Sequence, residues 1–495
     1  MIFFEKKVLS YWLKDSQKKT YPRLEKNLNV DILIVGGGIT GILCAYQLAK
    51  QNKYRIALVE KNRLYHSTTG FTTGKVTVQH DDIYHQLIKN KGETIARAYY
   101  QANSEAVQGL KKIVEEENID CDWVDTKAIL YAFSEEEAKR LQREQNAYDT
   151  LGIPYEWLDK ETLPFQTLGG LAVPDQGVFH IVSFLDGILN NLNVDIYEKT
   201  KIIKTNPTEK GAVAETADHY KISAKHIVLA THYPIYKRFN FYFTKIKPTC
   251  SYVAIAHEFA IKPENAYINL IDPVLSIRFL DSADPKLMVA GFGHDVKNYY
   301  SYFDQIHKLK VMATERLGAK DFTEEWYNQD YESMDMVPLI GKITDAPLYL
   351  ATGFRKWGIT SAFVASLIIK DLIEGINNQY AYLYDPNRNK NTFKTVCYNF
   401  AMLSTVIKTK LLTVPKSIKI NPGNGRIIQH KGSKIGLYID QNGKTYSVKP
   451  ICTHLGCTLR FNNVTKTYEC PCHGSRFNYD GTSLDGPAVR NLTQL

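Results

Sequence analysis

The pattern of apolar and polar positions predicts a strand, a turn and a helix near the N-terminus. Residues 29–35 form an apolar run rich in β-branched side chains, as in a strand buried on both faces. Glycines follow at once, and residues 42–50 then place Leu43, Tyr46 and Leu48 among the apolar positions of a helix. A second buried strand is predicted at 55–59. The order strand, helix, strand is typical of a parallel α/β sheet.

The turn between the first strand and the helix has the glycine spacing of a dinucleotide-binding site. Gly36, Gly38 and Gly41 form a G-x-G-x-x-G pattern, and Glu60 ends the second strand 24 residues after Gly36. We expect Gly36 to make the turn, Gly38 to admit the pyrophosphate and Gly41 to let the helix pack on the sheet. Glu60 is expected to accept hydrogen bonds from ribose hydroxyls. The spacing favours a bound dinucleotide over a plain glycine-rich βαβ turn.

Later segments agree with a nucleotide-binding fold. A hydroxyl-rich loop at 66–75 follows the second strand, and a short buried strand is predicted at 227–231. A strand–glycine–loop–glycine pattern at 348–358 precedes a predicted helix at 359–374. Loop 66–75 is either an ordinary polar loop or a contact to the cofactor. The further cofactor contacts that we expect are Ser67, Thr68, Thr69, Thr73, Ile202, Gly353, Arg355, Trp357 and Gly358.

A single fingerprint favours FAD over NAD as the dinucleotide. Flavoenzymes that use a pyridine nucleotide usually carry two such fingerprints, one for each cofactor. Gly291-Phe292-Gly293 follows an apolar run, but it lacks the third glycine and a helix-like continuation. We therefore expect FAD to be reduced directly by a small-molecule substrate held in a second domain.

Two short clusters of cysteine and histidine lie in a C-terminal region of short predicted strands and Gly/Asn turns. The candidate metal ligands are Cys452, His454, Cys470 and His473. Two thiolates and two imidazoles are the ligands of a [2Fe–2S] centre with thiolates on one iron and imidazoles on the other. Zinc takes the same ligand set. An additional cysteine in each cluster, Cys457 or Cys472, favours the iron–sulfur centre.

The two clusters, CTHLGC and CPCHGS, resemble those of the Rieske family, in the branch with a disulfide between the cluster loops. The resemblance implies that the two ligand cysteines bind one iron and the two histidines the other, and that Cys457 pairs with Cys472. It also implies a hydrogen bond from Ser475 to a cluster sulfur. Phe477 stands where high-potential members often carry a tyrosine, so we expect a potential below that of the respiratory Rieske proteins.

The N-terminal fingerprint and the loop at 353–358 resemble those of the D-amino acid oxidase, glycine oxidase and sarcosine oxidase family. With the Rieske region, the whole chain is similar to a bacterial group in which a DadA-like flavin oxidoreductase is fused to a C-terminal Rieske domain. The fold class implied is an α/β FAD-binding Rossmann-like domain with an α+β substrate domain, followed by a small all-β Rieske domain. Trp12, which precedes the fingerprint, fits that group too.

The chain divides into four predicted parts. Residues 1–27 form a polar N-terminal arm, 28–385 the oxidoreductase, 386–415 a linker with a helix, and 416–495 the Rieske domain. Within the oxidoreductase, the FAD part is expected at about 28–80, 151–240 and 326–385, and the substrate part at about 81–150 and 241–325. The substrate part contains predicted helices at 93–117 and 134–148 and predicted strands at 248–257 and 275–279.

Composition and charge limit the partners. The 495 residues suffice for two to three domains, and the net charge of +9 comes mostly from lysine. That charge indicates an acidic partner, such as an electron carrier or a membrane surface, or merely a lysine-rich solvated surface. No basic run is interleaved with aromatic residues, so nucleic-acid binding is not expected.

No targeting or membrane-spanning segment is evident in the sequence. Residues 1–4 are apolar, but Glu5, Lys6 and Lys7 follow directly, unlike a signal peptide. Residues 392–414 come closest to a membrane span, and lysines interrupt them. We therefore expect a cytoplasmic protein without an integral membrane segment. The helix predicted at 393–412 is interpreted as a packing helix rather than a membrane anchor.

These features predict an enzyme that oxidises an amino acid or amine and passes electrons from flavin to cluster to an external one-electron acceptor. Arg278 is a candidate clamp for a substrate carboxylate, and Tyr252 and His294 are candidates to line the pocket. A non-amine substrate remains open. Two other hypotheses use the same cofactors, namely a reductase fed by NAD(P)H or a partner, and a non-catalytic redox sensor or electron-transfer module.

Overall fold

The computed structural model describes most of the chain. The described residues are 10–14, 19–160, 164–235, 242–280, 284–298, 300–343, 346–388, 393–411, 414–415 and 419–495. Much of the predicted arm at 1–27 therefore lies outside the described residues. The part of the arm that is described is not merely polar, because Trp12 in the short helix Tyr11–Lys14 is buried and its Nε1 donates to Thr72 O at 2.6 Å.

The first sheet is built on parallel strands, as the apolar runs predict. Its path runs through Leu339–Lys342, Leu348–Thr352, Lys221–Leu229, Leu28–Val35, Ile56–Val59 and Asp195–Tyr197, and the hairpin of Ile202–Thr208 and Gly211–Thr216 joins Lys221–Leu229. Ile32 and Ile34 belong to one hydrophobic cluster, whereas Leu33 and Val35 belong to another on the opposite face. Side chains alternate across a strand, so residues 32–35, which are buried on both faces, are all apolar.

The second sheet is mostly antiparallel. Its nine strands are Lys75–Val76, Val124–Tyr131, Glu156–Leu158, Gly170–Val178, Ile246–Glu258, Ala266–Asn269, Leu275–Leu280, Lys286–Asp295 and Lys320–Ser333. The predicted strands at 248–257 and 275–279 are confirmed. The sheet reaches beyond the predicted substrate part, because Gly170–Val178 pairs with Val124–Tyr131 and Lys320–Ser333 pairs with Ile246–Glu258.

Helices cover the two sheets. The predicted helices at 93–117, 134–148 and 359–374 are confirmed as Glu93–Glu116, Glu135–Leu151 and Gly358–Glu374. Other helices span Ile39–Ala49, Ile83–Lys91, Ile181–Asn190, Tyr302–Leu317 and Ala381–Tyr384, with short 3₁₀ turns at Thr68–Phe71 and Tyr242–Thr244. Ser134 starts Glu135–Leu151 through a reciprocal capping box with Glu137, which satisfies two of the free N–H groups at this helix start.

The C-terminal part is all-β, as expected. A three-stranded antiparallel sheet contains Asn424–His430, Ser433–Ile439 and Thr445–Val448. A four-stranded sheet contains Arg460–Asn462, Thr467–Glu469, Arg476–Asn478 and Ser483–Asp485. The first cluster loop (residues 452–457) and the second cluster loop (residues 470–475) are loops of this part, and four of their cysteines lie in its buried core.

A linker helix, Phe393–Leu411, connects the two parts of the molecule. Met402 is buried in the core of the C-terminal part, and Asn399 donates to Thr244 O of the two-sheet body at 3.2 Å. The predicted packing role of this helix is consistent with these contacts. Among the described residues, no helix combines the length and apolar character needed to cross a membrane.

Candidate functional site

The glycine turn after Leu28–Val35 has the geometry of a phosphate-binding site. Gly36 has φ of +115°, and a Cβ at this position would lie 2.3 Å from Ala230 O. A Cβ at Gly41 would lie 1.9 Å from Gly36 O, so only glycine lets the helix approach the turn. The helix begins at Ile39 and directs its N-terminal end at a cavity, where a pyrophosphate would be stabilised.

Glu60 follows the second strand and faces the same cavity. Its carboxylate accepts hydrogen bonds from Gly37 N at 2.8 Å and Asn62 N at 2.9 Å. Burial raises the pKa of this carboxyl, and the backbone N–H groups and Lys61 partly oppose that effect. The arrangement holds Glu60 in place beside the turn, where it can accept from a ribose hydroxyl.

The cavity has a volume of about 460 Å³ and lies where the first sheet, the second sheet and the C-terminal part meet. Its lining includes most of the expected cofactor contacts, namely Gly36, Gly38, Glu60, Ser67, Thr68, Thr69, Thr73, Ile202, Arg355, Trp357 and Gly358. Gly41 and Gly353 do not line the cavity. Gly41 packs on Gly36, and Gly353 packs on Ser333 and Ile246. The volume is in the range of cofactor sites.

The hydroxyl-rich loop is held against this cavity by several elements. Thr69 Oγ1 accepts from Ile39 N at 3.1 Å, at the start of the fingerprint helix. Thr68 Oγ1 lies 3.3 Å from His232 Nδ1 across the cavity wall. These bonds turn hydroxyl groups toward the helix start, where cofactor phosphates are expected.

The loop at 353–358 has an unusual backbone. Arg355 and Lys356 have φ of +54° and +70°, a region that side-chain-bearing residues rarely adopt. The conformation lets Lys356 N donate to Asp330 Oδ2, while Trp357 Nε1 donates to Asp81 Oδ2 at 3.3 Å. Strained backbone of this kind is typical of ligand sites, and it supports the predicted role of this loop.

The three expected substrate contacts do not line the cavity. Arg278 is buried elsewhere: its Nη1 donates to Thr73 O at 2.6 Å and Gly74 O at 3.0 Å, and its guanidinium lies over the Trp12 ring. Burial lowers the pKa of Arg278 to about 9. The side chain therefore holds the hydroxyl-rich loop in place, and it is not positioned as a carboxylate clamp.

Tyr252 and His294 contact each other on the opposite face of the sheet. Tyr252 OH lies 3.0 Å from His294 Nε2, and Tyr252 packs against Tyr302. The neighbouring Ser251 and Val253 line the cavity instead. Alternation along the strand explains the difference, because residues on either side of an inward-facing position point outward.

Lys75 is a cavity residue that sequence reasoning missed. Its Nζ donates to Tyr267 O at 2.8 Å and Ser276 Oγ at 2.6 Å. Burial, together with the charge of Arg278, lowers the pKa of Lys75 to about 7. The sequence did contain an indication of this role, namely a lysine at the end of the hydroxyl-rich loop.

The two cluster loops bring the four candidate ligands together. The Cys452 and Cys470 thiols are hydrogen-bonded to each other, and this contact lowers the pKa of Cys452 and raises that of Cys470. The rings of His454 and His473 lie 5.1 Å apart, centroid to centroid. Two adjacent thiols and two adjacent imidazoles fit a [2Fe–2S] centre of the mixed-ligand type.

The two additional cysteines form a disulfide, Cys457–Cys472. The sulfur atoms of Cys457, Cys470 and Cys472 lie within 4.8 Å of one another, and the disulfide takes two of the three. Cys470 thus remains free, with Cys452, as a candidate metal ligand. Ser475 is buried, bonds to the Cys452 thiol and accepts from Ala488 N at 3.1 Å, while Phe477 is fully buried without a donor.

The second cluster loop packs directly on the wall of the cavity. Gln329 Nε2 donates to Gly474 O at 2.9 Å, and Tyr331 OH donates to His473 O at 3.3 Å. Between these residues, Asp330 lines the cavity and lies 2.9 Å from His232 Nε2. One strand, Lys320–Ser333, therefore contacts both the cavity and the cluster loop.

The C-terminal part also closes one side of the cavity. Lys61 Nζ donates to Leu484 O at 2.6 Å, and Lys201 Nζ donates to Ser483 O at 3.1 Å. Asp485 lines the cavity, and although burial opposes its ionisation, Lys61, His232 and Arg476 lower its pKa to about 2. These contacts join the dinucleotide site and the cluster domain in one assembly, which sequence reasoning did not foresee.

Comparisons with known proteins agree with both halves of the site. The family described as FAD dependent oxidoreductase matches residues 31–372, and the Rieske [2Fe-2S] domain matches residues 410–495. The chain is 32% identical to YhfW of Bacillus subtilis (strain 168), named as a Rieske 2Fe-2S iron-sulfur protein, over 98% of this chain and 97% of that one.

Two further similarities each cover one part of the chain. Iron-sulfur subunit 1 of the chloroplast cytochrome b6-f complex of Nicotiana tabacum is 40% identical over 74 residues, which is 14% of this chain and 32% of that subunit. The fold is similar to glycine oxidase from Geobacillus kaustophilus, with a TM-score of 0.62 and 17% identity, over 74% of this chain and 100% of that one.

The cofactors that these matches indicate, FAD and a Rieske-type [2Fe–2S] cluster, fit the glycine turn with its cavity and the paired thiols and imidazoles. The chain belongs to the FAD dependent oxidoreductase family, and its oxidoreductase domain is followed by a Rieske [2Fe–2S] domain.

Proposed function

We propose that this protein oxidises a small amino acid and delivers the electrons, through the Rieske cluster, to an external one-electron acceptor. The observation that carries the proposal is the shared strand Lys320–Ser333, which contributes Asp330 to the FAD cavity and Tyr331 to the contact with the cluster loop. When bound, FAD takes electrons in pairs and releases them singly, which suits a cluster that holds one electron.

Lys75 supports an amino acid over an amine without a carboxylate. Its ammonium group faces the cavity with only a carbonyl and a hydroxyl as described hydrogen-bond partners, whereas Arg140, also in the lining, is held by Asp82 at 2.8 Å. A substrate carboxylate would pair with Lys75 and stabilise its protonated form. The fold similarity to an enzyme named glycine oxidase is in line with this substrate class.

The two ligand histidines suit two different roles. His473 is buried against the oxidoreductase domain, next to Tyr331, so electrons are proposed to enter the cluster on this side. His454 is only half-buried, and Leu455 beside it is exposed. The exit to an acceptor is therefore assigned to the edge of His454.

The glycine pair at 291–293 does not favour a pyridine-nucleotide site. Both glycines lie within the antiparallel strand Lys286–Asp295, whereas a dinucleotide turn connects a parallel strand to a helix. This supports substrate oxidation over the reductase hypothesis.

Anaerobic stopped-flow spectroscopy of the holoprotein tests the proposal. Amino acids, methylated amines, NADH and NADPH are each mixed with the oxidised protein, and the flavin and cluster absorption bands are followed separately. Flavin bleaching by an amino acid, followed by loss of the cluster bands, is the expected result. In the Cys470→Ser variant, which lacks an iron ligand, only the flavin phase should remain.

Other outcomes select the other hypotheses. Bleaching by NADH or NADPH alone would favour the reductase. Flavin reduction by a methylated amine, with no response to amino acids, would still support substrate oxidation. It would contradict the proposed pairing of Lys75 with a substrate carboxylate. Inertness toward every compound, with both cofactors still reducible by dithionite, would favour a non-catalytic redox module.

A further inference from the structure

The linker helix Phe393–Leu411 has one packed face and one exposed apolar face. Thr395, Met402 and Thr409 are buried, and Tyr398 and Val406 pack against the core of the C-terminal domain. The exposed apolar stripe consists of Val396, Phe400, Leu403, Ile407 and Leu411. The intervals of three and four residues keep these side chains on one side of the helix.

The exposure of this apolar stripe is large. Phe400 is 70% exposed and Leu411 is 76% exposed. Single exposed apolar residues are ordinary on a protein surface, but a continuous stripe of five marks an interaction site. Burial on its other face shows that this helix is already fixed in the fold and does not need the stripe for its own packing.

The charge of the linker helix indicates what covers the stripe. Its sequence contains Lys394, Lys408 and Lys410 and no aspartate or glutamate. Lys408 and Lys410 are exposed, and at about 100° per residue they fall on opposite sides of the stripe. A second copy of this helix would bring lysines against lysines, whereas an anionic lipid surface matches both the apolar stripe and its basic borders.

We propose that the exposed stripe of the linker helix docks this protein on an anionic lipid surface, with the helix lying in the plane of the interface. Apolar side chains enter the boundary between headgroups and acyl chains, and the flanking lysines contact lipid phosphates. The net charge of +9 acts in the same direction, because it attracts the whole molecule to a negative surface.

The position of the helix gives the docking a consequence for electron transfer. Lys434 Nζ donates to Thr409 O at 3.1 Å and Lys410 O at 3.0 Å at the end of the helix, and it lies 3.3 Å from Thr458 Oγ1. Thr458 directly follows the first cluster loop, which carries His454 and the exposed Leu455. Docking therefore holds the domain that carries the first cluster loop at the membrane surface.

Co-sedimentation with lipid vesicles tests the docking. The full-length holoprotein is mixed with vesicles of phosphatidylcholine alone and of phosphatidylcholine with phosphatidylglycerol, at low and at high salt. Pelleting with the anionic vesicles, weakened by salt, is the expected result. The double variant Leu403→Gln/Ile407→Gln should bind about tenfold or more weakly, since each side chain loses the burial of a large apolar group.

Matched variants separate the stripe from general surface hydrophobicity. Phe303 lies on a different helix and is 58% exposed, as is Leu403, so Phe303→Gln should leave vesicle binding unchanged. Lys408→Glu/Lys410→Glu keeps the apolar stripe and should lose the preference for anionic vesicles. Retained flavin and cluster absorption would show that each variant is folded.

Three results would overturn the proposal. The first is no binding to anionic vesicles, and the second is equal binding by the parent and the Leu403→Gln/Ile407→Gln variant. The third is a dimer in analytical ultracentrifugation that this variant converts to a monomer, which would make the stripe an interface between copies.

Discussion

Tyr331 donates its hydroxyl hydrogen bond to the backbone carbonyl of His473, 3.3 Å away. The Tyr331 ring also contacts the ring of His232, 4.8 Å between centroids, and His232 lines the FAD cavity. One buried tyrosine therefore bridges the wall of the flavin site and the loop of a cluster ligand. This contact fixes how closely the two redox sites approach.

Loss of this bridge is expected to slow electron transfer between the sites. In Tyr331→Phe combined with Gln329→Leu, both bonds to the second cluster loop are removed, at a cost of about 1 kcal/mol each in docking energy. The cluster phase in stopped flow should slow severalfold or more, while flavin reduction by substrate keeps its rate. Tyr302→Phe is the control, because the buried Tyr302 hydroxyl has no described hydrogen-bond partner. If the cluster is reduced at the same rate in the parent protein, in the double variant and in Tyr302→Phe, this contact does not lie on the electron path.

Substrate binding is expected to depend on pH through Lys75. Its pKa of about 7 means that the side chain is protonated below pH 7 and increasingly neutral above it. Pairing with a substrate carboxylate requires the protonated form, so apparent affinity should fall as pH rises through 7. In Lys75→Met, KM should rise about 10- to 100-fold and lose this pH dependence, since a charged hydrogen bond is absent. A KM that stays low and pH-dependent in Lys75→Met would assign the carboxylate contact to another group.

FAD content is expected to depend on Gly41 although Gly41 does not line the cavity. In Gly41→Ala the new methyl meets Gly36 O at 1.9 Å, so the helix and the phosphate turn must separate. The purified variant should lose most of its flavin absorbance relative to protein. Gly443→Ala serves as control for the cost of replacing a glycine, because its φ of +83° disfavours a side chain while its methyl meets open space in a distant turn. Full flavin content in Gly41→Ala would contradict the proposed close packing.

The potential of the cluster is expected to follow the donors around it. Ser475→Ala removes a hydroxyl that bonds to the Cys452 thiol, so the reduced cluster loses stabilisation. Its midpoint potential should fall by several tens of millivolts in a spectroelectrochemical titration. Phe477→Tyr introduces a donor at a buried position and should shift the potential upward. An unchanged potential in both variants would show that these positions do not tune the cluster.

Local features of the sequence were sufficient for the fold class and the two cofactor sites. The fingerprint is contained in six residues, and Gly41 is required by a contact with Gly36 O inside the same turn, although Gly36 itself also meets Ala230 O after a neighbouring strand. The four candidate metal ligands are likewise confined to two short loops. The periodicity of apolar residues and the spacing of motif residues along the chain indicate such features directly.

Which side chains line the substrate side of the cavity depends on contacts between segments that are far apart in the sequence. In the strand Ile246–Glu258, Ser251 and Val253, rather than Tyr252, face the cavity, because side chains alternate between the two faces of a strand. Both faces of this strand are apolar, since Val253 and Ile255 pack in one hydrophobic cluster and Tyr252 and Ala254 in another, so the residue pattern does not show which face borders the cavity. The Arg278 side chain packs on the buried Trp12 of the N-terminal arm instead of lining the cavity. Trp12 lies more than 250 positions earlier in the chain.

The amino-acid sequence was enough to predict two redox cofactors and their order along the chain, because each is indicated by a short motif with fixed residue spacing. Only the folded chain decided that the cluster domain closes the FAD cavity, that Lys75 faces this cavity and that the linker helix leaves an apolar stripe exposed. Those relationships join residues hundreds of positions apart, and they arise when packing, strand alternation and charge are satisfied together.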